Sequence, residues 1–167
     1  PTAVLSVPRL YEKMYSRIVE GLKTAPSIRR KLFYWAIDIG KQILSCKTKN
    51  TPISFALKLK HSIANKLVYS KVQSRVGGAL RFFISGGAPL SQEIAEFFAS
   101  VNISILEGYG LTETSPVLTS NTLDNLKYGT VGKPLFNVEI KIGEGGEILA
   151  KGPNIMKGYY NNEEATS

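Results

Sequence analysis

The sequence predicts an α/β fold: a parallel βαβ body with several N-terminal helices, followed by a short antiparallel β extension. Three observations carry this. Two short apolar runs, residues 80–84 and 101–106, each lead into a glycine-containing segment, Ser85-Gly86-Gly87-Ala88-Pro89 and Gly108-Tyr109-Gly110. Between them Ile94, Phe97, Phe98 and Val101 fall at i, i+3, i+4 and i+7, the stripe of an amphipathic helix. Strand, helix and strand over ~30 residues make a βαβ unit, whose crossover is right-handed and whose strands run parallel. Upstream, helical spacing dominates residues 8–78. Downstream, Val138, Ile140 and Ile142 alternate with polar neighbours, the period of a half-buried strand. The division this suggests is a main α/β part over 1–135, with its helical segment at 8–78 and the βαβ unit at 80–116, and the start of a β subdomain over 136–167.

Pro8 suits the first turn of a helix. Leu10, Met14 and Ile18 space out its apolar face, and Gly21 is its expected stop. Pro26-Ser27 opens a second helix, with Ile28, Leu32, Trp35, Ala36, Ile39 and Ile43 as its stripe. Arg29, Arg30 and Lys31 crowd its first turn, where the helix dipole disfavours cations; a tolerated surface mismatch is preferred to an anion site. Residues 46–52 are polar and read as a loop. Residues 53–68 read as a third helix with Leu57, Ala64, Leu67 and Val68 inward, and 71–78 as a helical connector stopped by Gly77-Gly78. His61, the single histidine, could act as a base; with no partner near it in sequence it reads as a surface residue. Ser91 is placed as the N-cap of the βαβ helix, with Glu93 in its first turn. Residues 117–118 read as a brief strand and 119–132 as loop, with Asn121, Asp124, Asn125 and Gly129 as turn formers. Glu144-Gly145-Gly146 is a hairpin turn joining strand 137–142 to its partner at 147–151.

Length allows one domain that buries roughly two-thirds of its unfolded surface. The single cysteine, Cys46, excludes an internal disulfide and a cysteine-based metal site and fits a reducing compartment. Net charge is +8, and it is lopsided: residues 1–81 hold 16 Lys and Arg against 3 acids, and residues 82–167 hold 5 against 10. A basic half could meet anionic lipid headgroups or a polyphosphate. A solvated helical surface is the preferred reading. Nucleic acid is not expected, because the cations are not organised with aromatics in a binding motif. No apolar stretch approaches the ~20 residues of a membrane span. The location expected is cytoplasmic, peripheral to a membrane at most.

The chemistry concentrates in Ile105-Leu106-Glu107-Gly108-Tyr109-Gly110-Leu111-Thr112-Glu113-Thr114-Ser115-Pro116. A strand that stops in a Gly-Tyr-Gly turn leaves amides open at its carboxyl end, the edge where open α/β sheets bind ligands. Glycine lets backbone come close to a ligand. Tyr109 offers a face for a planar base. Thr112 can donate to a phosphate oxygen, and Glu113 can hold Mg²⁺, which takes one or two carboxylates plus substrate phosphates. The competing reading is an ordinary turn with Thr112 or Thr114 as a helix cap. Two glycine loops at one sheet edge, poor in side chains, favour a slot for a flat ligand.

Phe83-Ile84-Ser85-Gly86-Gly87-Ala88-Pro89-Leu90, followed by Glu107-Gly108-Tyr109-Gly110-Leu111-Thr112-Glu113-Thr114, resembles the adenylate-forming (AMP-binding) enzyme superfamily. Gly146-Glu147-Ile148-Leu149, Lys151-Gly152-Pro153-Asn154-Ile155-Met156 and Gly158-Tyr159-Tyr160-Asn161 resemble a third motif of that superfamily. Val7-Pro8-Arg9-Leu10-Tyr11-Glu12-Lys13 and Tyr69-Ser70-Lys71-Val72 are similar to its long-chain fatty-acid–CoA ligase branch. The likeness runs from near residue 4 to the end and is least recognisable over 42–62.

This resemblance implies ATP and Mg²⁺ as cofactors, with a fatty acid and coenzyme A as substrates. A carboxylate attacks the α-phosphate of ATP to give acyl-adenylate and pyrophosphate; coenzyme A then displaces AMP to give a thioester. It implies that Gly86, Gly87 and Ala88 run along the adenine with Tyr109 against its other side, within a binding segment of Glu107, Gly108, Tyr109, Gly110, Leu111 and Thr112. Thr112 would bind the α-phosphate and Glu113 the metal, these two being the catalytic pair. Phe33, Tyr34 and Trp35 could line an acyl channel; at their spacing the core is preferred. Two alternatives stay open: another adenylate-forming enzyme, such as an aryl-CoA ligase or a peptide-synthetase adenylation domain, and a non-catalytic nucleotide-binding or scaffolding domain. The family's glycine-rich phosphate loop, ribose-binding acid and adenylating lysine are not in this sequence. With its start at Pro1 and its end in what reads as a helix start, the chain is expected to be an internal piece, inactive alone in adenylation and thioester formation.

Overall fold

The computed structural model describes residues 1–166. It resolves into two compact units, Pro1–Ile105 and Leu106–Ser167. The described residues are mixed α/β, with a parallel strand pair, five α-helices and antiparallel strands, in the class the sequence predicts.

The first unit opens with a strand the sequence reading did not include, β1 (Ala3–Ser6). It pairs in parallel with β2 (Phe82–Ser85), in register from Ala3↔Phe82 to Ser6↔Ser85. Four helices connect the two strands. In α1 (Pro8–Lys23), Pro8 sits in the first turn as expected, but the helix runs past Gly21. An isolated glycine costs a helix only about 1 kcal/mol, so it does not by itself end one. The buried residues of α1 are Pro8, Tyr11 and Leu22, with Leu10 exposed, so the inward face lies one position beyond the predicted one. Tyr11 explains the offset: it is fully buried, its hydroxyl donates to the Ile84 carbonyl at 2.7 Å, and its ring meets Phe83 edge-on at 5.3 Å.

Helix α2 (Ser27–Thr48) takes in the first residues of the predicted 46–52 loop. Its buried residues are Phe33, Ala36, Ile37, Ile39, Gly40 and Ile43, while Ile28 is exposed. Of the three clustered aromatics, Phe33 is buried against Phe97, Trp35 is half-buried and Tyr34 is exposed. Arg29, Arg30 and Lys31 all face solvent, as a surface mismatch would. Gly40 sets the approach to α5 (Gln92–Ser100): a Cβ there would overlap the Ser100 carbonyl.

Helix α3 (Phe55–Ala64) starts at Ser54, whose side chain accepts from the Leu57 amide at 3.3 Å. It passes through a π-helical turn, Asn65–Tyr69, into α4 (Ser70–Arg75). That turn shifts the inward face, so Val68 and Tyr69 are buried and Leu67, predicted inward, is exposed. The Tyr69 hydroxyl donates to the Ala36 carbonyl at 2.6 Å and ties this turn to α2. Burial pushes both Tyr11 and Tyr69 up to about 12, against hydrogen bonding to backbone that pulls the other way. His61 is half-buried rather than a free surface residue. Its Nε2 lies 3.3 Å from Asn102 Oδ1, and its ring lies 5.4 Å from that of Tyr69, inclined at 54°. In α5, Ser91 occupies the N-cap position without a side-chain cap bond, and Ala95, Phe97, Phe98 and Ser100 are buried.

Strand β3 (Ser104–Gly110) carries the chain into the second unit. Here β3 pairs antiparallel with β4 (Val117–Ser120), which pairs antiparallel with the short β5 (Lys133–Pro134). The following loop is organised by the buried Asn121: its Nδ2 donates to the Thr130 carbonyl at 2.6 Å and its Oδ1 accepts from the Lys127 amide at 3.1 Å. The predicted hairpin is present as β6 (Glu139–Ile142) and β7 (Ile148–Lys151), joined through Glu144–Gly146 with Gly145 and Gly146 at positive φ. Among the described residues no helix is long and apolar enough to cross a membrane.

Candidate functional site

The predicted site residues fall in both units. Ser85, the last residue of β2, is buried, and its Oγ has no hydrogen-bond partner among the described residues. The chain then turns out: the Gly86 amide donates to the Ser6 carbonyl at 3.2 Å, Gly87 adopts φ 83°, and Gly87, Ala88 and Pro89 are exposed. This loop shows backbone and little side chain to whatever lies against it.

In the second unit the Gly108-Tyr109-Gly110 segment is not the turn the sequence suggested. It continues β3 and pairs with β4, Gly108 opposite Ser120 and Tyr109 opposite Thr119, with a bulge between Tyr109 and Gly110. The open amides expected there are therefore partly used by the ladder. Gly110 is required by the close return of the chain: a Cβ there would overlap the Pro116 carbonyl. Glu107 is buried, and its carbonyl accepts from the Asn121 amide at 2.8 Å. The turn proper begins at Leu111 and makes one 3₁₀ turn, Thr112–Thr114. Thr114, not Thr112, closes it: its buried Oγ1 accepts from the Leu111 amide at 2.9 Å and reaches the Pro116 carbonyl at 2.6 Å. That leaves the Thr112 side chain exposed.

The turn that carries Glu113 is bonded by three residues of the 154–159 segment. The Met156 amide donates to the Glu113 carbonyl at 2.8 Å. Asn154 Nδ2 donates to the carbonyls of Thr114, at 2.8 Å, and Val117, at 3.0 Å, so it spans the Ser115-Pro116 bend where Ser115 sits at φ 51°. The Tyr159 hydroxyl donates to Glu113 Oε1 at 2.7 Å. This bond, helped by the Glu113 amide, holds the carboxyl below its ordinary range, and the same bond raises the phenol. A cleft of about 270 Å³ opens beside them, lined by Tyr109, Leu111, Glu113, Leu118, Met156 and Lys157 among others. That is just under the ~300 Å³ at which ligand pockets begin, room for part of a nucleotide.

Among the described residues no three His, Cys, Asp or Glu cluster as a metal cage. A magnesium ion at Glu113 fits nonetheless, because Mg²⁺ is ordinarily held by one or two carboxylates with phosphates and water completing its shell. Only one Glu113 oxygen is committed to Tyr159. The sequence assigned no role to Asn154, Met156 or Tyr159; their place in a recognisable third motif was the only signal.

Residues 1–160 match the AMP-binding enzyme family. The long-chain-fatty-acid–CoA ligase FadD15 of Mycobacterium bovis is 35% identical over 167 residues, covering 100% of this chain and 27% of that protein. Long chain acyl-CoA synthetase 7, peroxisomal, of Arabidopsis thaliana is 36% identical, covering 99% of this chain and 24% of that protein. A benzoate CoA ligase from Burkholderia xenovorans LB400 superposes with a TM-score of 0.57 at 25% identity, over 99% of this chain and 26% of that one. The chain thus spans about a quarter of the length of the relatives it matches.

Proposed function

We propose, on the premise that this chain belongs to the AMP-binding enzyme family, that the protein carrying it is an acyl-CoA synthetase for long-chain fatty acids. The observation that carries the proposal is Glu113, which lines the same cleft as Tyr109 and is held by contacts at its backbone, from the Met156 amide, and at its side chain, from the Tyr159 hydroxyl. In the first step a fatty-acid carboxylate oxygen bonds to the α-phosphorus of ATP while the bond to the pyrophosphate oxygen breaks. In the second, the coenzyme A thiol loses its proton and bonds to the acyl carbon, and AMP leaves. Negative charge gathers on the α-phosphate in the first transition state, and a bound Mg²⁺ supplies several kcal/mol of stabilisation to such charge.

Glu113 holds that ion, and the exposed Thr112 hydroxyl donates to the α-phosphate. Tyr109 packs on the adenine, and the side-chain-poor backbone of half-buried Gly86 and exposed Gly87 and Ala88 is open to a flat ligand in its own unit. A long-chain acid is favoured over an aryl acid because relatives named for long-chain substrates are 35–36% identical, against 25% for the benzoate ligase. The exposed cations of residues 1–81 are read as solvated surface, with co-sedimentation on anionic vesicles as the check on a peripheral membrane contact. The test of the reaction is acid-dependent pyrophosphate exchange by the full-length protein, profiled with fatty and aryl acids. Exchange with long-chain acids, cut roughly 10²-fold by Glu113→Ala, supports the proposal. A preference for aryl acids removes the substrate assignment, and a near-normal rate in Glu113→Ala removes Glu113 from the reaction.

A further inference from the structure

We infer that Tyr159 is a positioning residue for the metal-binding carboxylate, an inference that rests on the role proposed above for Glu113. The two residues are 46 apart in sequence and joined by a 2.7 Å bond from phenol to Oε1. Tyr159 is itself 45% exposed, so the bond does not come free with burial in a core; two groups that water could serve are paired instead. The pairing is built from both sides. On the Glu113 side, the backbone carbonyl accepts from the Met156 amide at 2.8 Å, three residues before Tyr159. On the Tyr159 side, the amide donates to Thr166 Oγ1 at 3.0 Å, and that hydroxyl donates to the Asn162 carbonyl at 2.7 Å. The Met156 bond ties the segment that carries the phenol to the segment that carries the carboxylate, and the Thr166 bonds order the backbone around the phenol itself.

A glutamate at a solvent-facing turn samples several rotamers, and a cation must select one. A phenol that occupies one oxygen narrows the choice in advance and lowers the ordering cost of metal binding. Partners that hydrogen-bond to a ligating carboxylate commonly contribute 10–100-fold to metal affinity. Because this pair is partly exposed, the low end of that range applies, about 10-fold.

The test uses the full-length protein with Mn²⁺ as a spectroscopic probe, its free concentration read by electron paramagnetic resonance in the presence of a non-hydrolysable ATP analogue. Tyr159→Phe, which keeps the ring and removes the hydroxyl, is expected to weaken Mn²⁺ binding about 10-fold. Thr166→Val, which keeps the phenol and removes the anchor of its backbone, is expected to give a smaller loss in the same direction. In turnover, the Tyr159→Phe defect shrinks as magnesium rises, whereas a merely structural defect is constant across magnesium concentrations. If Glu113→Gln loses Mn²⁺ binding and Tyr159→Phe binds it as the native protein does, the positioning role is overturned and the function stands. If Glu113→Gln binds Mn²⁺ normally as well, the metal assignment itself falls, and this inference with it.

Discussion

Replacing Asn154 by alanine takes two donors from the bend that carries Glu113. The bonds lost run from Nδ2 to the Thr114 and Val117 carbonyls at 2.8 and 3.0 Å. At about 1 kcal/mol net each they contribute roughly 2 kcal/mol. Thr114 is buried, so its carbonyl is poorly rehydrated and adds about 1 kcal/mol more. Against this, Asn154 Oδ1 is itself buried without a partner, and its removal relieves a cost of about the same size. The expected net is about 2 kcal/mol, or roughly a 30-fold fall in the ordered population of the turn. Amide hydrogen exchange of residues 112–117 reads this directly, because local opening sets their protection. Asn154→Asp is expected to be worse than alanine, since it sets a carboxylate against two carbonyl oxygens. Protection unchanged within a factor of two in Asn154→Ala, or an aspartate that protects better than alanine, would refute the reasoning.

Two further outcomes follow from the first unit. Gly21 and Gly40 both lie inside helices, yet alanine at each is expected to act in opposite directions. At Gly21 nothing lies within 4 Å of the added methyl, and helix propensity stabilises by about 0.5–1 kcal/mol; at Gly40 the methyl meets the Ser100 backbone, and overpacking costs roughly 1–3 kcal/mol. Urea unfolding of both variants checks the sign. Tyr11 and Tyr69, raised from 10.0 to about 12 by burial, stabilise the fold fully below pH 10 and lose that contribution as pH rises through about 12. Between those values the unfolded chain ionises first, so stability falls; a Tyr11→Phe, Tyr69→Phe double variant is expected to lose this alkaline slope, as thermal unfolding between pH 9 and 12 would show.

Local signals carried much of the fold. The stripe of α5, the strand at β2 and the β6–β7 hairpin were legible because period and turn residues agree within a few positions. What escaped depends on distant partners. Glycines at 108 and 110 suggest a turn, but β4 extends them into a ladder. A π turn after Ala64 rotates Leu67 out and Tyr69 in, which no periodic stripe foretells. His61 meets Asn102, 41 residues away. The candidate site divides along the same line. Tyr109, Thr112 and Glu113 lie within five residues, so the sequence alone suffices to nominate them together. Asn154 and Tyr159 act across 37 to 46 residues, and their side chains alone do not say on what.

The central claim is that Glu113 couples nucleotide binding to magnesium. Titrating ATP into the full-length protein, with and without Mg²⁺ and with Glu113 intact or replaced by alanine, tests it directly. Magnesium should tighten ATP binding to the native protein and do so far less in Glu113→Ala. An equal response to magnesium in both proteins would contradict the account.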